Sequence, residues 1–398
     1  IYAVLRGVGG SSDGKDLSLT APRPEGQETA LIRAYQRAGV SPATVGLVEA
    51  HGTGTVVGDR TEIQSLSKTF ADFRDDKQFC GVGSVKSMIG HTKAAAGCAG
   101  MIKVATALHT RVLPSTLHVE TPNPGANFPE SPFYVVTEAR PWMNYGQTPR
   151  RAGVSAFGFG GTNFHAVLEE YDGGYLPQHR SPLRKNWTHE LYLFSAADKG
   201  ALQDALRAAA TAMASAPASV RAADVAAALA EQYDASAGAR FAIVAPSMGD
   251  AASRILRAID MIGQGGDALS QLDPMGAFYA GEPAISADQV AFLFPGQGSQ
   301  YPGMAGDLAM LFPEVREVIE DASIALMDKT PEPLGDLIYP RPTLDEAEKA
   351  RQVEALKRTD VAQPAIGAVS VALHELLRDM GLSASATIGH SYGEYTAL

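Results

Sequence analysis

A short apolar run, Val45 to Val48, passes directly into Glu49-Ala50-His51-Gly52-Thr53-Gly54-Thr55 and on to Gly58-Asp59. Residues 45–50 read as a short buried strand and 59–70 as a helix. The turn between them is polar and rich in glycine. Glycine lets a backbone come close to a ligand and take positive φ. Threonine hydroxyls both donate and accept. A histidine on such a loop, at the end of a buried strand, is well placed for proton or oxyanion chemistry.

The 398 residues allow two to three domains, and 45% hydrophobic against 19% charged residues is enough for large cores. The net charge is −11, and no Lys/Arg-rich stretch interleaves with aromatics, which argues against a nucleic-acid surface. Ala94 to Leu108, the longest small and apolar run, is broken by Lys103 and is too short for a membrane span. Cys80 and Cys98 sit among small or apolar neighbours and read as buried, reduced thiols of a cytoplasmic protein. The chain opens in a strand pattern at Ile1-Tyr2-Ala3-Val4-Leu5 and stops shortly after Ser391, so both ends are expected to cut through a domain.

Three blocks follow from the pattern. Residues 1–170 read as a strand at 2–7, a Gly/Ser/Asp loop from Gly9 to Gly14 and a helix over 25–38 stopped by Gly39. The strand at 45–50 and the helix at 59–70 come next. A strand at 79–85 runs to Ser84-Val85-Lys86-Ser87, and a helix at 94–109 is so crowded with Ala and Gly that its neighbours must approach closely. Proline-rich loops lead to Arg151 and the run Gly158-Phe159-Gly160-Gly161-Thr162-Asn163-Phe164-His165, then a strand at 166–169. Residues 171–288 read as a loop at 171–187, strands at 190–196 and 240–245, and helices near 198–214, 222–232 and 251–262. This small α/β module has no clustered Ser/His/Asp set and reads as a connector. Residues 289–398 begin with a strand at 290–294 and the turn Pro295-Gly296-Gln297-Gly298-Ser299. Helices near 313–327 and 363–380 flank a charged, solvated segment at 344–358. A strand at 384–388 ends in Gly389-His390-Ser391-Tyr392-Gly393.

Gly389-x-Ser391-x-Gly393 between strand and helix has the form of a nucleophile elbow, which lifts a serine Oγ to the top of a sheet. The Pro295-to-Gly298 turn could aim a backbone N–H at the same oxyanion. The general base such a serine needs is not visible downstream. In the first block His51 and His91 each read as sitting at a strand-to-loop junction, with Lys86 five residues before His91. His165 enters the last strand of its block and reads as structural, as do histidines 109, 118, 179, 189 and 374. His and Cys positions form no metal pattern.

Taken together, Glu49–Thr55, Ser84–His91 with Lys93-Ala94-Ala95-Ala96-Gly97, and Gly158–His165 resemble the C-terminal half of a β-ketoacyl synthase of type I polyketide synthases. Phe294-Pro295-Gly296-Gln297-Gly298-Ser299-Gln300 and Gly389-His390-Ser391-Tyr392-Gly393-Glu394 resemble the start of the acyltransferase domain that follows it, and the module between is similar to the linker of that family. The resemblance implies a thiolase-like layered α/β/α half-domain over 1–170, an α/β linker over 171–288 and an α/β-hydrolase-like start over 289–398. It implies that His51 and His91 stabilise the enolate formed when a malonyl-carrier thioester loses CO2, and that Lys86 supports His91. Thr53 and Thr55 would contact the phosphopantetheine arm, and Phe159 would gate the acyl pocket. Ser391 would take the acyl group from coenzyme A as an ester, flanked by His390, with the backbone N–H groups of Gln297 and Tyr392 as oxyanion hole. The implied partners are an acyl carrier protein bearing phosphopantetheine, malonyl-CoA as substrate, and a second copy of the ketosynthase. No cofactor bound directly by the chain is implied.

Departures from the family pattern matter. Its ketosynthase nucleophile lies in a Cys-Ser-Ser motif that this chain lacks, and Cys80 and Cys98 do not inherit that role. Residues 1–398 alone are therefore expected to be inactive in condensation. Gly9-Gly10-Ser11-Ser12-Asp13-Gly14 and Arg23-Pro24-Glu25-Gly26-Gln27 look closer to iterative, enediyne or polyunsaturated-fatty-acid-like synthases than to modular ones. Tyr392 stands where methylmalonyl-selective enzymes have Gln, which favours malonyl. Two other functions compete: a serine hydrolase or thioesterase using Ser391, and a non-catalytic scaffold that docks a carrier protein.

Overall fold

The computed structural model describes residues 1–14, 22–146, 148–158, 160–173, 187–281 and 289–398. They fall into two units: Ile1–Leu183 with Phe292–Ser383 and Thr387–Leu398, and Arg184–Ala291 with Ala384–Ala386.

The first unit begins with β1 (Val4–Ser12), α1 (Pro24–Ala38), β2 (Leu47–Glu49), α2 (Val56–Ala71), β3 (Cys80–Gly83), a helical turn α3 (Lys86–Ile89) and α4 (Ala96–Thr110). Then come β4 (Val112–Leu113), β5 (Phe133–Val135), β6 (Arg140–Pro141), β7 (Arg151–Gly158) and β8 (Thr162–Glu169). Six strands form one sheet in the order β1-β8-β7-β2-β3-β5. β1, β8 and β7 run antiparallel, while β7, β2, β3 and β5 are parallel. Strand side chains alternate between two faces. Val48, Val82, Phe133 and Val167 pack with Leu31, Tyr35, Leu66 and Phe70 of α1 and α2. Leu47, Tyr134, Val154 and Leu168 face the other way, onto Val104 and Leu108 of α4. This is the layered α/β/α arrangement expected from the sequence. Each of these side chains contributes roughly 1.5–3 kcal/mol by leaving water.

Local signals set the helix ends. Pro24 supplies a fixed φ in the first turn of α1, where its missing N–H costs nothing. Gly39, at φ 62°, stops it, with Gly39 N–H donating to Gln36 O and Val40 N–H to Tyr35 O. Three expectations need correction here. Gly9 to Ser12 are not loop: they continue β1 opposite His165 to Thr162 of β8. Their glycines serve packing, since a Cβ on Gly9 would lie 2.1 Å from Ala30 O and 2.4 Å from Ala34 N of α1. Residues 86–89 are helical rather than the end of a strand, so His91 follows a helical turn and not a strand. Cys80 is buried as expected, but Cys98 is exposed at the start of α4.

The second unit contains β9 (Glu190–Ala196), α5 (Lys199–Ala214), α6 (Ala222–Gln232), β10 (Ala239–Ala245), α7 (Met248–Gln264) and β11 (Ala277–Ala280). Its sheet is antiparallel in the order β11-β10-β9. Leu202, Leu206, Ile255 and Ile259 of α5 and α7 cover Tyr192, Phe241 and Ile243. β11 adds a strand to the module read from the sequence. Asp198 and Ser247 cap α5 and α7 by accepting the Ala201 and Asp250 N–H groups. The loop expected over 171–187 lies largely outside the described residues.

The remainder of the first unit is β12 (Ala291–Phe294), α8 (Gly306–Leu311), α9 (Pro313–Ala325), α10 (Leu334–Ile338), α11 (Glu346–Ala355), α12 (Thr359–Asp379), β13 (Ala386–Gly389) and α13 (Gly393–Ala397). β12 and β13 are neighbours in one small sheet. Val315 and Ile319 of α9 pack on Leu334, Val361, Ala365 and Ala372. α11 buries none of its residues, as its charge pattern implies.

The glycine in β1 makes a measurable demand. Gly9→Val is expected to cost roughly 2–3 kcal/mol of stability through overpacking, read as a lower urea midpoint. Gly249→Ala, in α7 with nothing within 4 Å of the added Cβ, is expected to leave the midpoint unchanged or raise it.

Candidate active sites

β2 delivers His51 to the rim of the sheet, and the chain then climbs through Gly52 and Gly54, at φ 45° and 75°, into α2. Two acids of α2 hold this loop from below. Glu62 accepts the His51 N–H at 2.7 Å on Oε1 and the Gly52 N–H at 2.9 Å on Oε2. Asp59 accepts the Gly54 N–H at 3.2 Å. The hydroxyls of Thr53 and Thr55 pair with each other at 3.3 Å near the surface. From β3 the chain makes the turn α3, carrying Lys86, and Gly90 at φ 74° swings it to His91.

This brings His51 and His91 together, with ring centroids 5.6 Å apart at an interplanar angle of 84°. Phe157 of β7 completes the setting 5.9 Å from the His51 ring. His91 Nδ1 accepts the Lys93 N–H at 3.0 Å, so the neutral ring carries its proton on Nε2. His51 Nδ1 is buried with no hydrogen-bond partner. Burial pushes His51 down to about 4, and the charges of Lys86 and His91 push the same way. Burial and Lys86 also lower His91. Both rings are therefore held neutral at pH 7. Lys86 is itself lowered by burial, against the pull of Glu49, Glu62 and Asp59. Burial drives Glu62 up to about 7, opposed by the two N–H groups it accepts.

The hairpin between β7 and β8 stands at the same end of the sheet. Gly160 and Gly161 take φ 88° and 77°. Asp13 pins the turn: its N–H donates to Gly161 O at 2.8 Å, and its Oδ1 accepts from Asn163 Nδ2 at 2.6 Å. Phe159 lies outside the described residues. His165 is buried within the sheet, with Nδ1 3.0 Å from Ser155 Oγ and Nε2 3.3 Å from Tyr35 OH. It is structural, as read.

The second site is the turn after β13. Ser391 has φ 56°, a left-handed conformation that is costly for a side-chain-bearing residue. The fold enforces it by close approach. A Cβ on Gly393 would lie 2.1 Å from Phe294 O, and one on Gly389 2.3 Å from Glu394 N. Gly296, in the turn after β12, would place a Cβ 2.8 Å from Ser391 Cβ, so the two turns meet. His390 N–H donates to Phe294 O at 3.0 Å. Gln297 is held through its side chain, which donates to Thr359 Oγ1 at 3.3 Å and accepts from Gln363 at 3.4 Å. The Tyr392 ring lies on α12 where Gly367 has no side chain to oppose it.

Sequence reasoning did not single out Glu62, Asp59, Lys103, Asp13 or Phe157 as site residues. Glu62 is visible only as a polar position on the buried face of a helix. That is a usable signal, because an acid is seldom buried without a partner. Among the described residues no group of His, Cys, Asp and Glu could hold a metal, and no helix is long and apolar enough to cross a membrane.

Three protein families match consecutive stretches of the chain. Beta-ketoacyl synthase, C-terminal domain, matches residues 2–120; ketoacyl-synthetase C-terminal extension matches 122–235; acyl transferase domain matches 291–398. Full-length similarity extends to a polyunsaturated fatty acid synthase of Thraustochytrium sp., 38% identical over 420 residues, covering 100% of this chain and 15% of that protein. Polyketide synthase GfsA of Streptomyces halstedii is 38% identical over 400 residues, covering 100% and 5%. A phenolphthiocerol/phthiocerol polyketide synthase of Mycobacterium tuberculosis is 36% identical over 405 residues, covering 100% and 26%. Among solved structures, a ketosynthase from module 6 of the bacillaene synthase of Bacillus subtilis is 34% identical, with a TM-score of 0.42 over 70% of this chain and 48% of that one. The two sites thus sit in a ketosynthase C-terminal domain and an acyltransferase domain. The chain carries the C-terminal domain of a beta-ketoacyl synthase and an acyl transferase domain, the proteins it aligns with over its whole length are polyketide and polyunsaturated fatty acid synthases, and it spans a small fraction of the length of those relatives.

The buried His165 gives a pH signature. Burial pushes it down to about 3, against about 6.5 when unfolded. The native state therefore refuses a proton that the unfolded chain accepts below pH 6.5. Stability present above that pH is lost as pH falls toward 3. Between pH 7 and 5 the loss is about 2 kcal/mol. Thermal midpoints at those two pH values should fall further apart in the parent than in His165→Gln. The opposing contribution of Glu62 is common to both proteins and cancels in the comparison.

Proposed function

We propose that residues 1–170, 171–288 and 289–398 are the ketosynthase, linker and acyltransferase segments of a synthase that extends acyl chains by decarboxylative Claisen condensation. In this reading Ser391 Oγ attacks the thioester carbonyl of malonyl-CoA, the C–S bond breaks, the serine proton leaves with coenzyme A as its thiol, and the malonyl group rests on Ser391 Oγ as an ester. It then passes to the phosphopantetheine thiol of an acyl carrier protein. The backbone N–H groups of Gln297 and Tyr392 stabilise the oxyanion, and His390 flanks the serine. At the ketosynthase the malonyl-carrier thioester loses CO2, and the electron pair released becomes an enolate on the thioester oxygen. His51 and His91 donate N–H hydrogen bonds to it, burial and Lys86 keep them neutral, Thr53 and Thr55 hold the phosphopantetheine arm, and Phe159 gates the acyl pocket.

The observation that carries this reading is the neutral, T-shaped His51–His91 pair, 5.6 Å between centroids. Charged imidazoles would have to give up a proton to the enolate. Neutral N–H donors stabilise it and leave it nucleophilic. The finer assignment is to a malonyl-selective synthase of the iterative or polyunsaturated-fatty-acid-like kind, homodimeric through its ketosynthase and cytoplasmic. The alignment with the polyunsaturated fatty acid synthase of Thraustochytrium sp. over the whole chain supports that subtype.

The test uses the natural full-length polypeptide incubated with malonyl-CoA and measured by intact mass. One malonyl adduct is expected, absent in Ser391→Ala. His91→Ala should keep the adduct and lose malonyl-carrier decarboxylation by roughly two orders of magnitude. Release of free malonate with no transfer to the carrier would instead favour a hydrolase. Unchanged turnover in both variants would favour a docking scaffold.

A further inference from the structure

Beside the two histidines the first unit holds a buried ion pair that the chemistry above does not use. Glu49 ends β2, two residues before His51. Its side chain is 3% exposed and that of Lys103 is 8% exposed. Glu49 Oε2 accepts from Lys103 Nζ at 2.9 Å, and Oε1 accepts the Val85 N–H at 2.5 Å. Val85 immediately precedes Lys86, and its carbonyl accepts the Ile89 N–H at 3.1 Å, so it fixes the start of the turn that ends at His91. Lys103 lies on α4, the helix that follows His91. Gly100, one turn before it, lacks the Cβ that would stand 3.0 Å from Glu49 Cγ, which lets α4 close down on the carboxylate. One carboxylate therefore joins the strand that carries His51, the turn that carries Lys86 and His91, and the helix beyond them.

Stability alone does not account for this pair. Stripping water from two charges costs as much as their attraction returns, and apolar residues of similar volume commonly serve as well. The arrangement has a different consequence. An ionised Glu49 is the strong acceptor that the Val85 N–H needs. Lys103 neutralises that anion through Oε2, leaving Oε1 to the Val85 N–H. Without Lys103, the carboxylate would draw on Lys86, the cation that faces both imidazoles.

We propose that Glu49 and Lys103 are a positioning pair for the decarboxylation site, fixing Val85 against the end of β2 and so setting the separation of His51 and His91. This rests on the reading of those histidines as the enolate-stabilising pair.

The test compares two double variants in the full-length synthase. Glu49→Gln with Lys103→Met removes both charges and keeps an acceptor for the Val85 N–H. Glu49→Leu with Lys103→Met removes the acceptor as well, at similar volume. Ser391 acylation by malonyl-CoA, in the other domain, reports that each protein is folded. The Gln/Met protein is expected to decarboxylate malonyl-carrier within about threefold of the parent, and the Leu/Met protein to lose about ten- to a hundredfold in kcat with KM held within about twofold. Ser391 acylation should match in the two, and the Leu/Met protein is expected to melt somewhat lower because its buried Val85 N–H has lost its acceptor. Equal decarboxylation by both proteins would overturn the proposal. So would a Leu/Met loss that comes with an equal loss of Ser391 acylation, because the pair would then be structural. His91→Ala is run alongside: full decarboxylation there would remove the site reading itself, and the positioning role with it.

Discussion

The turns after β2 and β3 stay where they are because two carboxylates, both nearly stripped of water, accept backbone N–H groups that would otherwise be unpaired. Glu62 takes those of His51 and Gly52, and Glu49 takes that of Val85. A strand that ends at a sheet rim leaves such groups without ladder partners, and burying them unpaired would cost about 1–3 kcal/mol each. Water could satisfy them, but a water-filled rim would not hold two imidazoles at a fixed separation. An acid on α2 and an acid at the end of β2 solve the problem from opposite sides. The desolvation that raises both acids is offset by the N–H groups they accept and, for Glu49, by Lys103. The placement of His51 and His91 follows from that scaffold.

Burial, and after it the charge of Lys86, then decides the protonation of the rings. Lys86 stands near both imidazoles and lowers each, while three carboxylates hold Lys86 toward its charged form. The acids of β2 and α2 thus hold the cation in place. Two neutral N–H donors beside a fixed positive charge make a site that favours negative charge on an incoming oxygen without supplying an acid strong enough to quench it. His165 reaches neutrality by burial alone, and its two ring nitrogens are taken up by Ser155 and Tyr35.

Much of the α/β order was legible because apolar runs ending in glycine turns leave few alternatives. The pattern failed where a residue's usual role and its local role differ. Gly9 and Gly10 read as loop by propensity, yet they belong to β1 because α1 comes too close for any side chain at Gly9. β11 was missed because Ala277–Ala280 is too short for alternation to register. The motif residues of the site were readable from the family resemblance and from the residue types themselves. Glu62, Lys103 and Asp13 were not, since their importance lies in what they touch across the fold. Nothing in the spacing of Glu49 and Lys103, 54 residues apart, points to a bond between them.

The two candidate sites are therefore built on different physics. At Ser391 the constraint is steric. Three glycines allow backbones to pass so closely that a serine is forced to φ 56°, and single methyl groups at Gly389, Gly393 or Gly296 would break the arrangement. Such a site is written in two short runs of consecutive residues and can be read from them. At His51 and His91 the constraint is electrostatic, set by charges that come from β2, α2, α3 and α4 and act together only after folding. A sterically coded turn keeps its geometry wherever its strand and helix pack. An electrostatically coded pair keeps its geometry only while the surrounding layers exclude water. That dependence explains why buried acids and a buried lysine, costly in any other part of a core, are placed beneath this rim.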